Sequence, residues 1–421
     1  MDGMTTLFPS SSYGTNRAAR TVKSLLTFKT LDFPIPSCFM ILKRLLLFLF
    51  IFLYTFYENW LPTPSCTVVP GANNQEQVED DLKVMMVADL MLSGHETGSG
   101  YLDLHFKHFY FSRFFRKAFE FLKPDMLIVL GDLSSQGSEL SQRKWSHVVQ
   151  EFHSLLGPFL DLPYHVVPGD RDIGECSRLN DLSANKMFRS FPGLDTAGCG
   201  AFDIGNVNFV SLNSVALVCG NNDLRFSVEK ALERERIELQ TENEHVANVI
   251  NESSEIKVPK YEFSWRENTM LSGSGPVLLL HFPLHQTTNN VHDENYGSIR
   301  GRADPLKKRQ TVGDGPYELS QTLPSNATEY IFHALRPRMI FSAHTQTFSD
   351  HIHPDGTREI VVPAMSWDAG KNPAFVDVTF RRNGTTAIVS HCKLAGKLHV
   401  LLLYISLFFV FILIVQTSLR S

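Results

Sequence analysis

The stretch MLIVLGD, residues 126–132, ends a run of five apolar residues with a glycine and an aspartate. A run that is apolar at every position predicts a strand buried on both faces, as in a sheet covered by helices. Similar apolar runs ending in aspartate recur at VMMVAD (84–89) and YHVVPGD (164–170). Amphipathic stretches lie between them, so this part of the chain has the pattern of an α/β core.

Working outward, a helix is expected over 104–122, ending before Pro124 because proline interrupts helical hydrogen bonding. The polar segments 222–275 and 286–316 are predicted to be surface insertions. Five further apolar runs complete a set of eight candidate strands: NFVSLNS (208–214), VLLLHFP (277–283), RMIFSAH (338–344), EIVVPAM (359–365) and AFVDVTF (374–380).

Polar residues cluster where these strands end. Each one alone has an ordinary explanation, as a turn, a helix cap or a satisfied core histidine. Together they predict one shared site, because ligands bind at the carboxyl ends of strands in α/β sheets. Carboxylates and imidazoles are ligands for Zn, Mn or Fe. The candidate metal ligands are Asp89, Asp132, Asp170, His281 and His344.

Two long apolar runs frame the 421-residue chain, at 39–57 and 398–415. A membrane-spanning helix needs roughly 17 to 25 apolar residues, so both are predicted transmembrane helices. For the first run a cleaved signal peptide remains an alternative. The other segments are predicted as a disordered cytosolic tail (1–38), a lumenal stalk (58–81), a lumenal domain (82–392) and a second cytosolic tail (416–421).

Basic residues before the first run and acidic residues after it leave the N-terminus in the cytosol, by the positive-inside bias. The segment between the two runs then lies in the lumen of the secretory pathway. Three glycosylation sequons fall in that segment, at Asn251, Asn326 and Asn383. The localisation expected from this topology is a membrane of the endoplasmic reticulum or Golgi.

Five cysteines share the lumenal segment, which permits at most two disulfides and leaves one thiol; the sequence does not give the pairing. The net charge is −5, so the chain lacks the positive electrostatic field that attracts the phosphate backbone of nucleic acids. Nucleic acid is therefore not an expected partner. The cysteines concerned are Cys66, Cys176, Cys199, Cys219 and Cys392.

The blocks ADLM, LGDLSSQG, PGDRDIG, LLHFPLH and SAHTQ resemble, in order, the metal motifs DxH, GDxxD, GNH(D/E), H and GHxH of the calcineurin-like metallophosphoesterases. The blocks NFVSLNSVAL, PVLLLHFPLH, LRPRMIFSAHT and PAMSWDAGKNPAF look like the membrane-anchored branch that removes ethanolamine phosphate from glycosylphosphatidylinositol (GPI) anchors. The resemblance covers roughly 82–415. It implies an αββα sandwich, two mixed sheets flanked by helices, with one transmembrane helix at each end.

Several motif positions depart from the family. The resemblance assigns Asp89 and Asp132 to the first aspartate and the bridging aspartate, but Met91 and Gln346 stand where two histidines belong. The metal position nearest Asp89 should therefore be weak or empty. Ser135 and Ala343 replace two further motif residues.

The second metal position would use Asp132, Asp170, His281 and His344, so one divalent ion (Mn, Zn or Fe) is expected rather than two. Arg171 occupies the place of the family's catalytic histidine. A guanidinium binds phosphate well but stays protonated, so it cannot serve as the acid. A salt bridge with neighbouring Asp172 is the alternative role. If the first metal position is filled after all, His95 is the nearest candidate to complete it.

Two functions follow from the resemblance. The first is hydrolysis of an ethanolamine-phosphate phosphodiester in GPI remodelling, with GPI-anchored proteins or GPI glycolipid as partners. The second is a pseudophosphoesterase that binds a GPI glycan or a cargo protein through the same crevice. The retained ligands favour the enzyme, whereas Met91, Arg171 and Gln346 favour the pseudoenzyme.

Overall fold

A computed structural model describes residues 35–69, 81–93, 101–176, 179, 181–219, 223–252, 275–286, 322–369, 373–381 and 386–419. The chain divides into two compact units. One consists of the described residues up to Tyr54 and from Ile405 onward, and the other is formed by residues 55–404.

Helices α1 (Ile35–Asn59) and α9 (Lys397–Leu419) begin and end the described chain. Within them, Met40–Asn59 and Lys397–Leu419 are long and apolar enough to cross a membrane, and most of their side chains are exposed. These two segments coincide with the runs predicted to be transmembrane. A signal sequence meets the same criteria of length and composition, so that alternative for α1 stays open.

The first sheet has six strands in the order β1-β12-β11-β2-β3-β4. Strands β2, β3 and β4 run parallel, whereas β11 and β12 form an antiparallel extension that ends in β1. The bounds are β1 Ser65–Val68, β2 Leu82–Val87, β3 Met126–Leu130, β4 Tyr164–Val167, β11 Ala374–Phe380 and β12 Ala387–Lys393.

The second sheet also has six strands, in the order β5-β6-β7-β8-β10-β9. Its four central strands are parallel, and the edge strands β5 and β9 are antiparallel to their neighbours. The bounds are β5 Gly200–Ile204, β6 Val207–Ser211, β7 Val277–Leu279, β8 Met339–Ser342, β9 Ser349–Ile352 and β10 Arg358–Val361.

The two sheets pack face to face through alternate side chains of their central strands. Met86, Ile128 and Leu130 of the first sheet share a buried cluster with Phe209 and Phe341 of the second. The intervening side chains, such as Leu127 and Leu278, point outward into the helix-covered layers, because successive residues of a strand face opposite sides. All eight predicted strands are present, in an αββα sandwich.

Seven helices lie in the larger unit between the terminal pair, within the described residues. The outer layers contain aromatic side chains such as Phe114 and Phe152, both fully buried. The helices are α2 Tyr101–Leu122, α3 Gln142–Leu156, α4 Asp170–Ile173, α5 Asp181–Phe188, α6 Ser214–Val218, α7 Asp223–Glu252 and α8 Ser325–Leu335.

Two segment predictions need correction. The predicted stalk 58–81 contributes the edge strand β1, which pairs with β12 through backbone hydrogen bonds that residue type does not reveal. The predicted surface insertion 222–275 begins with α7, whose Leu224, Val228, Ala231 and Leu232 are buried against the core. Its remaining positions are mostly polar or charged, so the overall polarity concealed a narrow apolar stripe.

Two disulfides connect distant parts of the larger unit. Cys66 in β1 is bonded to Cys392 in β12, and Cys176 is bonded to Cys219. Cys199 is a buried free thiol. The five lumenal cysteines thus form the largest number of bridges that the sequence permits, two, and leave one thiol. Such bridges indicate a secreted or lumenal compartment.

Candidate metal centre

The five candidate ligands lie on loops that follow parallel strands. Asp89 follows β2, Asp132 follows β3, and Asp170 begins α4 after β4. His281 and His344 follow β7 and β8 of the second sheet. Since these strands are parallel within each sheet, the loops from both sheets meet at one end of the sandwich.

His281 is at the centre of the cluster and is fully buried. Its Nδ1 lies 2.9 Å from the carbonyl oxygen of Leu130, so Nδ1–H donates to the end of β3. Its Nε2 lies 2.9 Å from Asp170 Oδ1 and 3.6 Å from Asp132 Oδ1. The backbone carbonyl fixes the orientation of the ring and directs Nε2 toward both carboxylates.

His344 completes a second set of contacts on Asp170. His344 Nδ1 lies 3.3 Å from Asp170 Oδ1 and 3.3 Å from His281 Nε2. Asp170, His281 and His344 each offer one ligand atom, and these atoms lie within 4.8 Å of one another. The same holds for Asp89, Asp132 and His281. The structure therefore brings all five candidates together.

The donor set fits a divalent cation. Asp89 is buried, and its Oδ1 has no hydrogen-bond partner within the described part of the chain. A buried carboxylate oxygen without a partner is costly unless a cation or proton satisfies it. Oxygen and imidazole donors together suit Zn, Mn or Fe.

Met91 and Gln346, which replace two family histidines, lie next to this cluster in sequence, with φ of +52° and +64°. Met91 is buried, and its backbone N–H donates to the carbonyl oxygen of Asp132 at 3.1 Å. A thioether is a poor ligand for these metals, and an amide offers only a neutral oxygen. Ser135, which replaces another motif residue, makes a local contact: its backbone N–H donates to the carbonyl oxygen of Leu92 at 3.0 Å.

Arg171 contacts Asp132 in two ways. Its Nε lies 3.3 Å from Asp132 Oδ2, and its backbone N–H donates to Asp132 Oδ1 at 3.0 Å. The alternative salt bridge with Asp172 is not formed. Asp172 instead accepts backbone N–H groups from Leu133, Ser134 and Gly169, at 2.8 to 3.2 Å.

Asp172 is thus a residue whose role the sequence did not reveal. It is fully buried, and it ties the loop after β3 to the loop after β4, which carry Asp132 and Asp170. Ser214 has a comparable role, because its hydroxyl accepts the backbone N–H groups of His281 and Phe282. Sequence offers little signal for such bracing, since the partners are backbone groups of distant segments.

Two glycines allow the loops to approach closely. A Cβ at Gly131, where φ is +82°, would lie 2.2 Å from His281 Nδ1. A Cβ at Gly169 would lie 2.2 Å from the backbone nitrogen of Asp132. Larger residues at these positions would displace the candidate ligands themselves.

Burial and mutual contacts shift the pKa values of the cluster. Burial raises the pKa of Asp89 to about 6, and burial together with Asp170 raises that of Asp132 well above its usual range. Burial alone would lower the pKa of His281, but Asp132 and Asp170 outweigh it and raise that pKa to about 10. Burial lowers the pKa of His344.

Asp170 behaves differently. Burial by itself raises its pKa, but hydrogen bonds from His281 and His344 more than offset this and hold the pKa below the usual range. These opposite pKa shifts favour a protonated His281 beside an ionised Asp170. Because metal ligands must be deprotonated, metal binding here would release protons.

The remaining site predictions are only partly within the described residues. Asn326 is exposed at the start of α8. Asn251 lies in α7, whereas Asn383 and His95 fall outside the described residues.

Comparison with known proteins identifies the family. The protein-family model for calcineurin-like phosphoesterases matches residues 103–348, more than half of the chain. Metallophosphoesterase 1 of Mus musculus is 30% identical over 330 residues, covering 77% of this chain and 74% of the relative. The Drosophila melanogaster homolog of metallophosphoesterase 1 is 23% identical, covering 84% and 86%.

Among solved structures, a dimetal phosphatase from Danio rerio covers 73% of this chain and 98% of its own, with 12% identity and a TM-score of 0.39. The family-model match and the mouse relative are sufficient: this chain belongs to the calcineurin-like phosphoesterase family.

Proposed function

We propose that this protein is a membrane-anchored, metal-dependent phosphodiesterase that acts in GPI-anchor remodelling and hydrolyses an ethanolamine-phosphate diester. The observation that carries the phosphoesterase part is the convergence of Asp132 and Asp170 on His281 Nε2, with His344 beside them. The GPI part is supported by the resemblance of the blocks 276–285, 335–345 and 363–375 to that branch, and by the two apolar terminal helices.

One divalent ion would be held by Asp132, Asp170, His281 and His344. When bound, such an ion supplies Lewis-acid activation of the phosphate and lowers the pKa of water. The second family position has Asp89 but lacks imidazoles at 91 and 346, so this cluster is expected to hold a single ion of Mn, Zn or Fe.

Arg171 would bind the phosphate. Its side chain is 36% exposed, and its Nε is held by Asp132, which fixes the base of the guanidinium beside the ligand cluster. The planar fork suits phosphate oxygens, but a guanidinium does not serve as a general acid for a leaving group. Loss of general acid catalysis typically lowers a rate by about 10²- to 10⁴-fold. Turnover should accordingly be slow.

The test uses the full chain purified in detergent. We expect the cluster of Asp132, Asp170, His281 and His344 to hold about one metal ion and to support slow hydrolysis of a glycan-linked ethanolamine-phosphate diester. Asp170→Asn should lower the metal content of the chain by this one ion and abolish hydrolysis, whereas Asp203→Asn on the exposed edge strand β5 should change neither. Met91→His, Arg171→His and Gln346→His together should raise the metal content by up to one further ion and increase the rate.

Different results would contradict different parts of the proposal. Loss of two ions on the Asp170→Asn substitution, together with full activity in the unmodified protein, would show that the one-ion assignment to this cluster is wrong. Hydrolysis of bis(4-nitrophenyl) phosphate but not of the ethanolamine-phosphate diester would exclude the GPI role alone. Metal and phosphate binding without any hydrolysis would favour the pseudophosphoesterase, for which the substitutions at Met91 and Gln346 are the supporting observation.

A further inference from the structure

A second cluster of potential metal ligands lies on the helix-covered face of the second sheet. His351 belongs to β9, His353 follows it directly, and Glu359 is in β10. The neighbouring Ile360 belongs to the core between the sheets, so Glu359 faces the opposite side. There the ring of His353 lies 5.1 Å from that of Phe332 in α8. This cluster therefore lies outside the inter-sheet core and shares no residue with the phosphoesterase ligands.

The donor atoms are already close together. His353 Nε2 lies 2.7 Å and His351 Nε2 lies 3.2 Å from the same oxygen, Glu359 Oε2. One ligand atom from each residue lies within 4.8 Å of the other two. In a tetrahedral zinc site, ligands at about 2.0 to 2.2 Å from the ion are about 3.3 to 3.6 Å apart. The His351 contact is near that spacing, and the His353 contact would open by less than about 1 Å.

Other groups hold the carboxylate in place. Glu359 is fully buried, and its Oε1 accepts the Ser342 hydroxyl at 2.6 Å and the backbone N–H of Leu284 at 3.1 Å. This leaves Oε2 directed at the two imidazoles. Hydrogen bonds of this kind orient the ligating carboxylates of metal sites.

The alternative is a structural hydrogen bond between a histidine and a glutamate. That reading accounts for His353 but less well for His351: its buried Nε2 lies 3.2 Å from Glu359 Oε2 without the geometry of a hydrogen bond, and it has no other partner in the described residues. A cation between the three side chains would satisfy this nitrogen. The His351 side chain is 21% exposed, so an ion could enter from that edge.

We propose that His351, His353 and Glu359 form a second metal site that binds one zinc ion, with water as the fourth ligand. Two imidazoles and a carboxylate are zinc ligands, and no thiolate is needed. The loop that carries His281 also contains Leu284 and Gln286. The backbone N–H of Leu284 donates to Glu359, and Gln286 Nε2 lies 3.3 Å from His351 Nδ1. The ion would fasten this loop to the β9–β10 hairpin.

The experiment uses the full chain in detergent, with Asp132→Asn and His344→Gln introduced to disable the phosphoesterase cluster. After metal removal, zinc is titrated in competition with a chromophoric chelator. We expect one zinc ion still to bind. The further substitution His351→Gln should weaken zinc binding by more than the roughly 10- to 100-fold that is typical when a residue hydrogen-bonded to a metal ligand is lost. His333→Gln, an exposed histidine of α8, is the matched control and should leave zinc affinity unchanged.

A second measurement needs no substitution at the proposed site. Zinc should protect His351, but not His333, from modification by diethyl pyrocarbonate, as read by mass spectrometry. The proposal is overturned if the cluster-disabled protein binds no zinc, if His351→Gln retains full zinc affinity, or if zinc leaves the modification of His351 unchanged.

Discussion

At the scale of single residues, the most constrained position beside the metal cluster is Gly131. Its φ is +82°, and a Cβ there would meet His281 Nδ1 at 2.2 Å. We predict that Gly131→Ala destabilises the fold by about 3 kcal/mol, from backbone strain plus overpacking, and that it abolishes metal binding in the crevice. Thermal unfolding and the metal content of the full chain measure the two effects.

Gly157 offers the matched control for this prediction. It also has positive φ, at +52°, but a Cβ there would meet nothing within 4 Å. Gly157→Ala should therefore carry backbone strain of about 1–3 kcal/mol without any loss of metal. If both variants bind metal equally well, the close approach of Gly131 to His281 is not what positions that ring.

At the scale of a single element, strand β11 contains an acidic side chain in a largely buried position. Asp377 is paired in register with Met85 and Ser390, and its Oδ1 has no hydrogen-bond partner among the described residues. Burial raises its pKa to about 7, with only partial compensation from the charge of Lys83. The folded protein therefore binds this proton more tightly than the unfolded chain does.

The sign of the pH dependence follows from this difference. The contribution of Asp377 to stability is fully present below its unfolded pKa, near 4, and is lost as pH rises toward 7. The loss is at most about 4 kcal/mol, since each pKa unit corresponds to about 1.4 kcal/mol. We predict that Asp377→Asn raises the unfolding temperature at pH 8 and has much less effect at pH 4.5.

Thermal unfolding of the full chain, followed by tryptophan fluorescence at both pH values, checks this prediction. Asp203→Asn on the exposed edge strand β5 measures the effect of removing one surface carboxylate. Equal stabilisation by Asp377→Asn at the two pH values would show that ionisation of Asp377 does not oppose folding.

At the scale of the whole molecule, topology is the property to test. The two apolar helices, the flanking charges and the two disulfides are consistent with a lumenal domain held by two spans. We predict that the protein stays in the membrane pellet after carbonate washing and carries a glycan on Asn326, which is exposed at the start of α8.

Endoglycosidase digestion of the wild type and of single Asn251→Gln, Asn326→Gln and Asn383→Gln variants reads out the glycans as changes in gel mobility. Unchanged mobility in all cases would count against a lumenal domain. Complete release by carbonate would exclude both spans, whereas a mature N-terminus beyond residue 59 would show that the first helix is a cleaved signal.

The central strands and the order of the polar residues that follow them could be predicted from the amino-acid sequence alone. MLIVL (126–130) and VLLL (277–280) predict buried strands because every position is apolar, and Asp132 and His281 follow them. Uniform burial on both faces leaves a signal in each residue of the strand. An α/β core could therefore be predicted from these runs, whereas the αββα sandwich and the family were implied by the resemblance of the motif blocks.

Features that depend on pairing between distant segments could be identified only in the folded chain. Strands β1, β5, β9 and β12 have polar or partly exposed positions, and backbone hydrogen bonds to a neighbour define them. The disulfide partners, the contact of Arg171 with Asp132, and the convergence of His351 and His353 on Glu359 likewise require the folded chain. Local residue types cannot specify such contacts, because each one is fixed by the register and packing of elements far apart in sequence.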